Sequence, residues 1–351
     1  NVATAKPLPV GEQVFLSGND VEFGGWDPCG LALTRERDNL WSTRVELPAD
    51  KVIEFKVTRG SWLAEQVAKD GLVPPNYVLE AGTDDVEFDV YVHHWKDMKT
   101  GILPDIVGEF RILEEVESRI LNNSRTVIVW LPPSYEKEQN RHFPVLYMHD
   151  GQQIFDPATS TWDKAWDVDV HMTDLIAEGL IQEAIVVAPY SSEFRRSEYN
   201  PDDMGDDYLK FLIHELKPQI DEDYRTHKDR CYIAGSSMGG LMSFYAAWKH
   251  PDVFAKAAVL SPAFKIDESE TIFDMVKSTK KCPDIHMYLY CGGGDPLEKR
   301  LLGTTRQMVE LLRKKGFEKV CSAYVEDEKA AHNEEAWEKH TREWLTVLLG
   351  S

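Results

Sequence analysis

The stretch Arg230-Cys-Tyr-Ile-Ala-Gly-Ser-Ser-Met-Gly-Gly-Leu-Met-Ser-Phe-Tyr-Ala-Ala-Trp-Lys249 joins an apolar strand to an apolar helix through Gly235-Ser236-Ser237-Met238-Gly239. That pentapeptide fits G-x-S-x-G, a pattern too short to carry weight alone. Its context adds the weight: strand Cys231 to Ala234 runs directly into it and helix Gly240 to Lys249 directly out of it. In such a turn the central serine takes a strained backbone, and side chains two positions to either side would collide. Gly235 and Gly239 occupy those two positions. Ser237 then presents its hydroxyl at a helix N-terminus, where free N–H groups and the helix dipole favour developing negative charge. A small-residue turn without chemistry is the competing reading, and the strand–turn–helix context disfavours it.

Outward from this turn, apolar strand-sized runs alternate with amphipathic stretches. The runs are Thr126 to Leu131, Pro144 to Met148, Ala184 to Ala188, Arg230 to Ala234, Ala257 to Leu260, His286 to Tyr290 and Val320 to Val325. Between them lie helical patterns at Asp207 to Ile220, Leu241 to Lys249, Thr304 to Lys315 and Glu334 to Leu349. Strands apolar throughout, separated by helices, predict an α/β region with a mostly parallel sheet covered on both faces. Reactive groups in such a sheet collect beyond the carboxyl ends of the strands.

A serine nucleophile needs a base, and in this architecture the chain order is Ser, then acid, then His. His332 follows the last strand, just before a helix that Asn333 can cap. His214 and His227 precede the serine, His250 ends its helix, and His340 lies inside the final helix. Asp295, in Cys291-Gly-Gly-Gly-Asp-Pro after the strand His286 to Tyr290, is the expected acid, with Glu298 and Asp327 as alternatives. Its competing use is as an Asp-Pro turn residue. For an oxyanion, the N–H of Met238 supplies one donor and the loop His149-Asp-Gly-Gln-Gln153 the other. Gly151 gives that loop its freedom, Gln152 is the chosen donor, and His149 and Asp150 pack beneath.

The first 97 residues read differently. Short alternating segments at Gln13 to Ser17, Trp41 to Leu47, Val52 to Val57 and Val86 to Val92 are parted by turn formers. This predicts an all-β, immunoglobulin-like sandwich over residues 1–97, a linker over 98–107 and the α/β region over 108–351. The chain's 351 residues, 42% hydrophobic and 28% charged, fit two globular domains. A net charge of −21 argues against nucleic acid and anionic membrane surfaces as partners. No apolar run reaches membrane-spanning length. The start at Asn1 without a basic, apolar leader fits a removed signal peptide or a trimmed chain, and we expect a secreted or periplasmic protein. Five cysteines without CxxC spacing disfavour a metal knuckle, leaving one bridge, Cys282–Cys321 or Cys291–Cys321, compatible with the late strands.

From about Gly108 to Gly350 the chain resembles an esterase family of the α/β-hydrolases. That family includes siderophore, feruloyl and acetyl-xylan esterases, S-formylglutathione hydrolase and mycolyltransferases. The resemblance is carried by Ser118 to Tyr135, Leu146 to Gln152, Arg195 to Tyr199, the serine turn and Ala331-His332. It implies Ser237 as nucleophile and His332 as base, with no metal or cofactor. Some siderophore esterases have only a Ser–His dyad, which bears on Asp295. Arg196, Glu198 and Tyr199, with Gly151, are the substrate-binding candidates, an ion pair being the alternative use of the first three. The first domain looks like a starch-binding β-sandwich through Phe15 to Asn19, Gly24 to Pro28, Leu40-Trp41, Ile53 to Val57, Gly60 to Trp62 and Pro74 to Asn76. Trp62 and Tyr77 are its sugar-stacking candidates, whereas Trp26 and Trp41 read as core. The expectation is a serine esterase for acylated glycans, feruloyl esters or siderophore-type esters, of undetermined oligomeric state. Acyl transfer, or an inactive glycan-binding protein, is the alternative.

Overall fold

The computed structural model describes all residues but 6, 10, 50, 68–72, 84, 97–106, 158, 161–163, 266, 267 and 351, and the side chain of 63. The chain divides into two compact units, Asn1–Asp105 with Asp156–Asp163, and Ile106–Phe155 with Lys164–Ser351. The expected linker 98–107 lies, apart from residue 107, outside the described residues.

The first unit is a β-sandwich. One four-stranded sheet has the order β4 (Thr34–Arg37), β5 (Leu40–Ser42), β1 (Val2–Thr4), β9 (Val90–Val92). The other has the order β3 (Leu31–Ala32), β2 (Phe15–Gly18), β6 (Val52–Thr58), β8 (Tyr77–Glu80). A two-stranded ladder pairs β7 (Gln66–Val67) with β10 (His94–Trp95). Val2, Leu16, Trp41, Ile53, Phe55, Val57, Val90 and Val92 form its core. Their alternation along β6, with Ile53, Phe55 and Val57 inward, is the period-two pattern seen in the sequence. Two expected strands are shorter than read: Trp41 to Leu47 keeps only Leu40–Ser42, and Val86 to Val92 only Val90–Val92.

Unit two is built on an eight-stranded sheet, β11 (Glu109–Ser118), β12 (Asn123–Leu131), β14 (Ile185–Pro189), β13 (Phe143–Met148), β15 (Thr226–Ser236), β16 (Phe254–Leu260), β17 (His286–Gly292) and β18 (Ala323–Asp327). β12 is antiparallel to both its neighbours, and from β14 to β18 every pairing is parallel. The sheet is covered on both faces. Along β13, Val145 and Tyr147 enter one apolar cluster with α5 (Met238–Lys249), while Leu146 and Met148 enter another with α9 (Thr341–Leu349) and α1 (Val168–Ala177). The mostly parallel, two-sided arrangement is the one its continuously apolar strands predict.

The helix read over Asp207 to Ile220 is α3 (Gly205–Lys210), a π-helical turn Phe211–Leu216 and α4 (Lys217–Asp223) in succession. The final helix is broken into α8 (Glu334–Glu338) and α9. Val320 is not in the last strand but in the 3-10 turn Glu318–Cys321 before it. Strand order matters for function. The chain leaves β13, forms β14 on one side, then returns to β15 on the other, so adjacent connections at the carboxyl ends diverge and open a crevice. The Asp150–Gln153 loop after β13 and the serine turn after β15 border that crevice.

All five cysteines are free, so neither expected bridge forms. Cys291 turns its sulfur to Glu298, and the Cys321 thiol faces the Glu318 carbonyl within its own turn.

Candidate active site

Ser237 has φ 56° and ψ −120°, outside the regions open to most residues, and caps the N-terminus of α5. The flanking glycines leave little room for a side chain. A Cβ at Gly235 would stand 2.8 Å from the Gly239 backbone, and one at Gly239 would stand 3.0 Å from the His149 Cβ. The first intrahelical bond of α5 runs from Leu241 N–H to the Ser237 carbonyl, so the N–H of Met238 has no acceptor within the helix. The turn therefore forms as its sequence requires.

His332 follows β18, and Asn333 caps α8 by accepting the Ala336 N–H at 3.0 Å. The imidazole Nε2 lies 3.0 Å from Ser237 Oγ, and Nδ1 lies 2.8 Å from Glu298 Oε1. Since a carboxylate only accepts, the proton sits on Nδ1 and Nε2 accepts from the serine hydroxyl. Trp337 meets the ring edge-on at 4.9 Å, and its indole N–H donates to Ser261 Oγ.

The partner of the imidazole is thus Glu298 and not Asp295. Asp295 is the N-cap of α7 (Pro296–Lys314): its Oδ1 accepts the N–H groups of Leu297 and Glu298. Its Oδ2 accepts the His332 backbone N–H at 2.7 Å. The bonds from the Glu298 and His332 amides hold the Asp295 carboxyl below the usual carboxylate range. The signal for this was present in Asp295-Pro-Leu-Glu298, a cap residue followed by proline at the first helical position. A cap commits Asp295 to backbone amides and places Glu298 on the first turn, where its fully buried carboxylate reaches the histidine.

The loop after β13 also departs from expectation in how it bends. Asp150, not Gly151, takes the left-handed backbone, at φ 57°. Gly151 is needed instead because a Cβ there would stand 2.1 Å from the Ala188 carbonyl oxygen. Gln152 exchanges two hydrogen bonds with Ser191, pinning this loop to the one after β14. Beneath it His149, 2% exposed, touches Tyr208 through Nδ1, and burial lowers its pKa to about 4. It is neutral and packs under the serine turn, as expected.

The remaining substrate-binding candidates divide. Glu198 is fully buried in an ion pair with Arg125, with Asn123 donating as well. Tyr199 is also fully buried, its hydroxyl receiving the Asp150 N–H. Both sit inside the fold at the end of α2 (Arg195–Glu198), Glu198 on Arg125 and Tyr199 against His149 and Tyr208. Arg196 is exposed. Its neighbour Arg195 is engaged on Asp150 at 2.6 and 2.8 Å; burial disfavours its charge, but the adjacent carboxylate raises its pKa above the usual guanidinium value. Glu334, 4% exposed, lies where it senses His332, Asp150 and Arg195, and burial pushes its pKa up.

In the first unit Trp41 is core as expected, but Trp26 is 38% exposed. Three successive positive φ angles, at Gly24, Gly25 and Trp26, turn its side chain out. Trp62 is 37% exposed. The turns carrying the two indoles are tied together: Cys29 Sγ donates to the Gly60 carbonyl and Thr58 Oγ1 to that of Pro28. Tyr77 instead packs against Phe55 and Phe88.

Among the described residues, no three His, Cys, Asp or Glu side chains are grouped to hold a metal ion, and no helix is long and apolar enough to cross a membrane.

Residues 118–343 match the family model described as "Putative esterase", and residues 2–71 match that of the "Starch binding domain". The chain belongs to this esterase family, and its first unit is a β-sandwich of the starch-binding type. An endo-1,4-beta-xylanase/feruloyl esterase of Xylanibacter ruminicola is 28% identical over 200 residues, covering 55% of this chain and 25% of that protein. The structure of a ferulic acid esterase superposes with TM-score 0.55 at 22% identity, over 69% of this chain and 98% of that one. The enterobactin esterase FES from Shigella flexneri gives TM-score 0.56 at 14% identity, over 96% of this chain and 88% of that one. At these identities the likeness to the solved structures is one of fold.

Proposed function

We propose that the protein is a serine carboxylic-ester hydrolase in which Ser237, His332 and Glu298 form the catalytic relay. The observation carrying this reading is the unbroken chain Ser237 Oγ to His332 Nε2 at 3.0 Å and His332 Nδ1 to Glu298 Oε1 at 2.8 Å, set on a strained turn at a helix N-terminus. Ser237 attacks the ester carbonyl while its proton passes to His332, and Glu298 stabilises the imidazolium and fixes the tautomer. The oxyanion is received by the Met238 N–H and by Gln152 on the loop after β13. His332 then protonates the leaving alkoxide, and water, activated by the same imidazole, releases the acid.

For the substrate we propose a neutral ester, an acyl or feruloyl ester of a glycan. Arg195 bears on this. A strongly anionic ester needs cationic groups at the mouth, and one of the two adjacent arginines there is engaged on Asp150. For the first unit we propose sugar binding through Trp26 and Trp62, supported by their exposure on two linked turns. Such a protein works outside the cell, which suits a secreted or periplasmic location.

The test is hydrolysis of p-nitrophenyl acetate by the parent and Ser237→Ala, then of methyl ferulate, acetylated xylan and a catecholate trilactone. We expect loss of at least about 10⁴-fold in the variant, with ferulate or acetyl ester preferred over trilactone. An equally fast variant sinks the mechanism, and a preference for the trilactone sinks the substrate.

A further inference from the structure

The buried carboxylate of Glu298 has two oxygens with unlike partners. Oε1 accepts from the His332 imidazole at 2.8 Å, and Oε2 faces the sulfur of Cys291 at 3.3 Å. Cys291 is itself fully buried near the end of β17. The next residue presses on the same group: a Cβ on Gly292 would stand 3.1 Å from the Glu298 carboxyl carbon. Burial first, and Glu298 second, raise the pKa of the Cys291 thiol, so it stays protonated and can donate. Ser261 and Thr305 lie within reach of the same sulfur.

We propose that Cys291 is a positioning residue of the relay, whose thiol holds Glu298 by a hydrogen bond weak enough to leave the carboxylate's charge mainly on the oxygen facing His332. The inference rests on the serine esterase reading above. A thiol is a weak donor, whereas a hydroxyl at the same place would draw charge toward Oε2 and weaken the support given to the imidazolium. A side chain with no donor would leave that charge on Oε1. The other groups around the pair come from several elements. Asp295 holds the His332 backbone, and Glu334 of α8 senses the imidazole, with Asp150 and Arg195 nearby. Tyr290 of β17 senses both Glu298 and Asp327, at the end of β18. Of these, Tyr290 also senses Cys291 itself.

The experiment is the pH profile of kcat/KM on p-nitrophenyl acetate for the parent, Cys291→Ser and Cys291→Ala. The acid limb of that profile reports His332, which must be neutral to act as base. We expect the limb to move to lower pH in Cys291→Ser and to higher pH in Cys291→Ala, each by about half a unit, with KM nearly unchanged. Coincident limbs, or shifts of the same sign in both variants, overturn the proposal. Glu298→Gln, assayed alongside, separates the two failures. If it is as active as the parent, the relay itself is wrong; if it is impaired while the Cys291 limbs coincide, only the role of Cys291 is wrong.

Discussion

Glu298 Oε1 lies 2.8 Å from His332 Nδ1. The nearer carboxylate in sequence to the expected role, Asp295, holds the same residue by its backbone instead. Replacing Glu298 by alanine should therefore lower kcat by about 10³- to 10⁴-fold with little change in KM, as loss of the orienting acid does in triads generally. Asp295→Ala should lower it far less. Steady-state kinetics on a chromogenic ester decides between the two carboxylates.

Asp295→Ala should act on stability. It removes the acceptor of two helix N–H groups and of the His332 amide. Loss of such a cap costs about 1 kcal/mol, read as a lower midpoint in urea unfolding. Asp295→Asn, which keeps a side-chain acceptor, should recover part of it.

Glu198→Ala separates scaffold from substrate binding. The variant leaves the Arg125 guanidinium buried without its ion-pair partner, which costs about 3–5 kcal/mol. Unfolding should come at much lower denaturant, while KM of whatever folded enzyme remains stays near the parent value. A raised KM at unchanged stability would return Glu198 to the substrate.

Gly151→Ala tests the close approach of the loop after β13 to β14. The added methyl meets the Ala188 carbonyl, and overpacking of this kind costs about 1–3 kcal/mol or more. Because Gln152 is next in the chain, activity should fall along with thermal stability.

Asp169 gives a pH dependence. It accepts the Val107 N–H at 2.6 Å, and burial raises its pKa from 3.8 to about 7. Between those values the folded protein keeps a proton that the unfolded chain has released. Stability contributed at low pH is therefore lost as pH rises through that interval, at up to about 1.4 kcal/mol per pH unit. Relative to the parent, Asp169→Asn should gain stability from pH 5 to pH 8, measured by denaturant unfolding at each pH.

Much of the site was legible because its demands are local. Ser237 has glycines two positions to either side and a strand and helix around it, and those are close in the chain. His332 stands out by exclusion among the histidines, and Asn333 marks the helix after it. Glu298 was masked by Asp295, since both follow β17 and only the capping geometry assigns one to the backbone and one to the imidazole. Glu198 and Tyr199 read as mouth residues because a loop after a strand usually stays at the surface. Their partners lie elsewhere in the chain: Glu198 pairs with Arg125 of β12, more than seventy residues earlier, and Tyr199 packs on His149 and Tyr208. Trp26 failed the opposite way, as an apolar residue turned outward by a run of positive φ angles that composition does not display.

The amino-acid sequence alone determined the two-part organisation, the two-sided sheet, the serine turn and the histidine. Each depends on periodicity or on sterics within a few residues. Tertiary structure decided which carboxylate meets the histidine, that Arg195 engages Asp150, and which tryptophans face solvent. Those outcomes depend on distances between side chains from separate elements, which periodicity and local sterics do not carry.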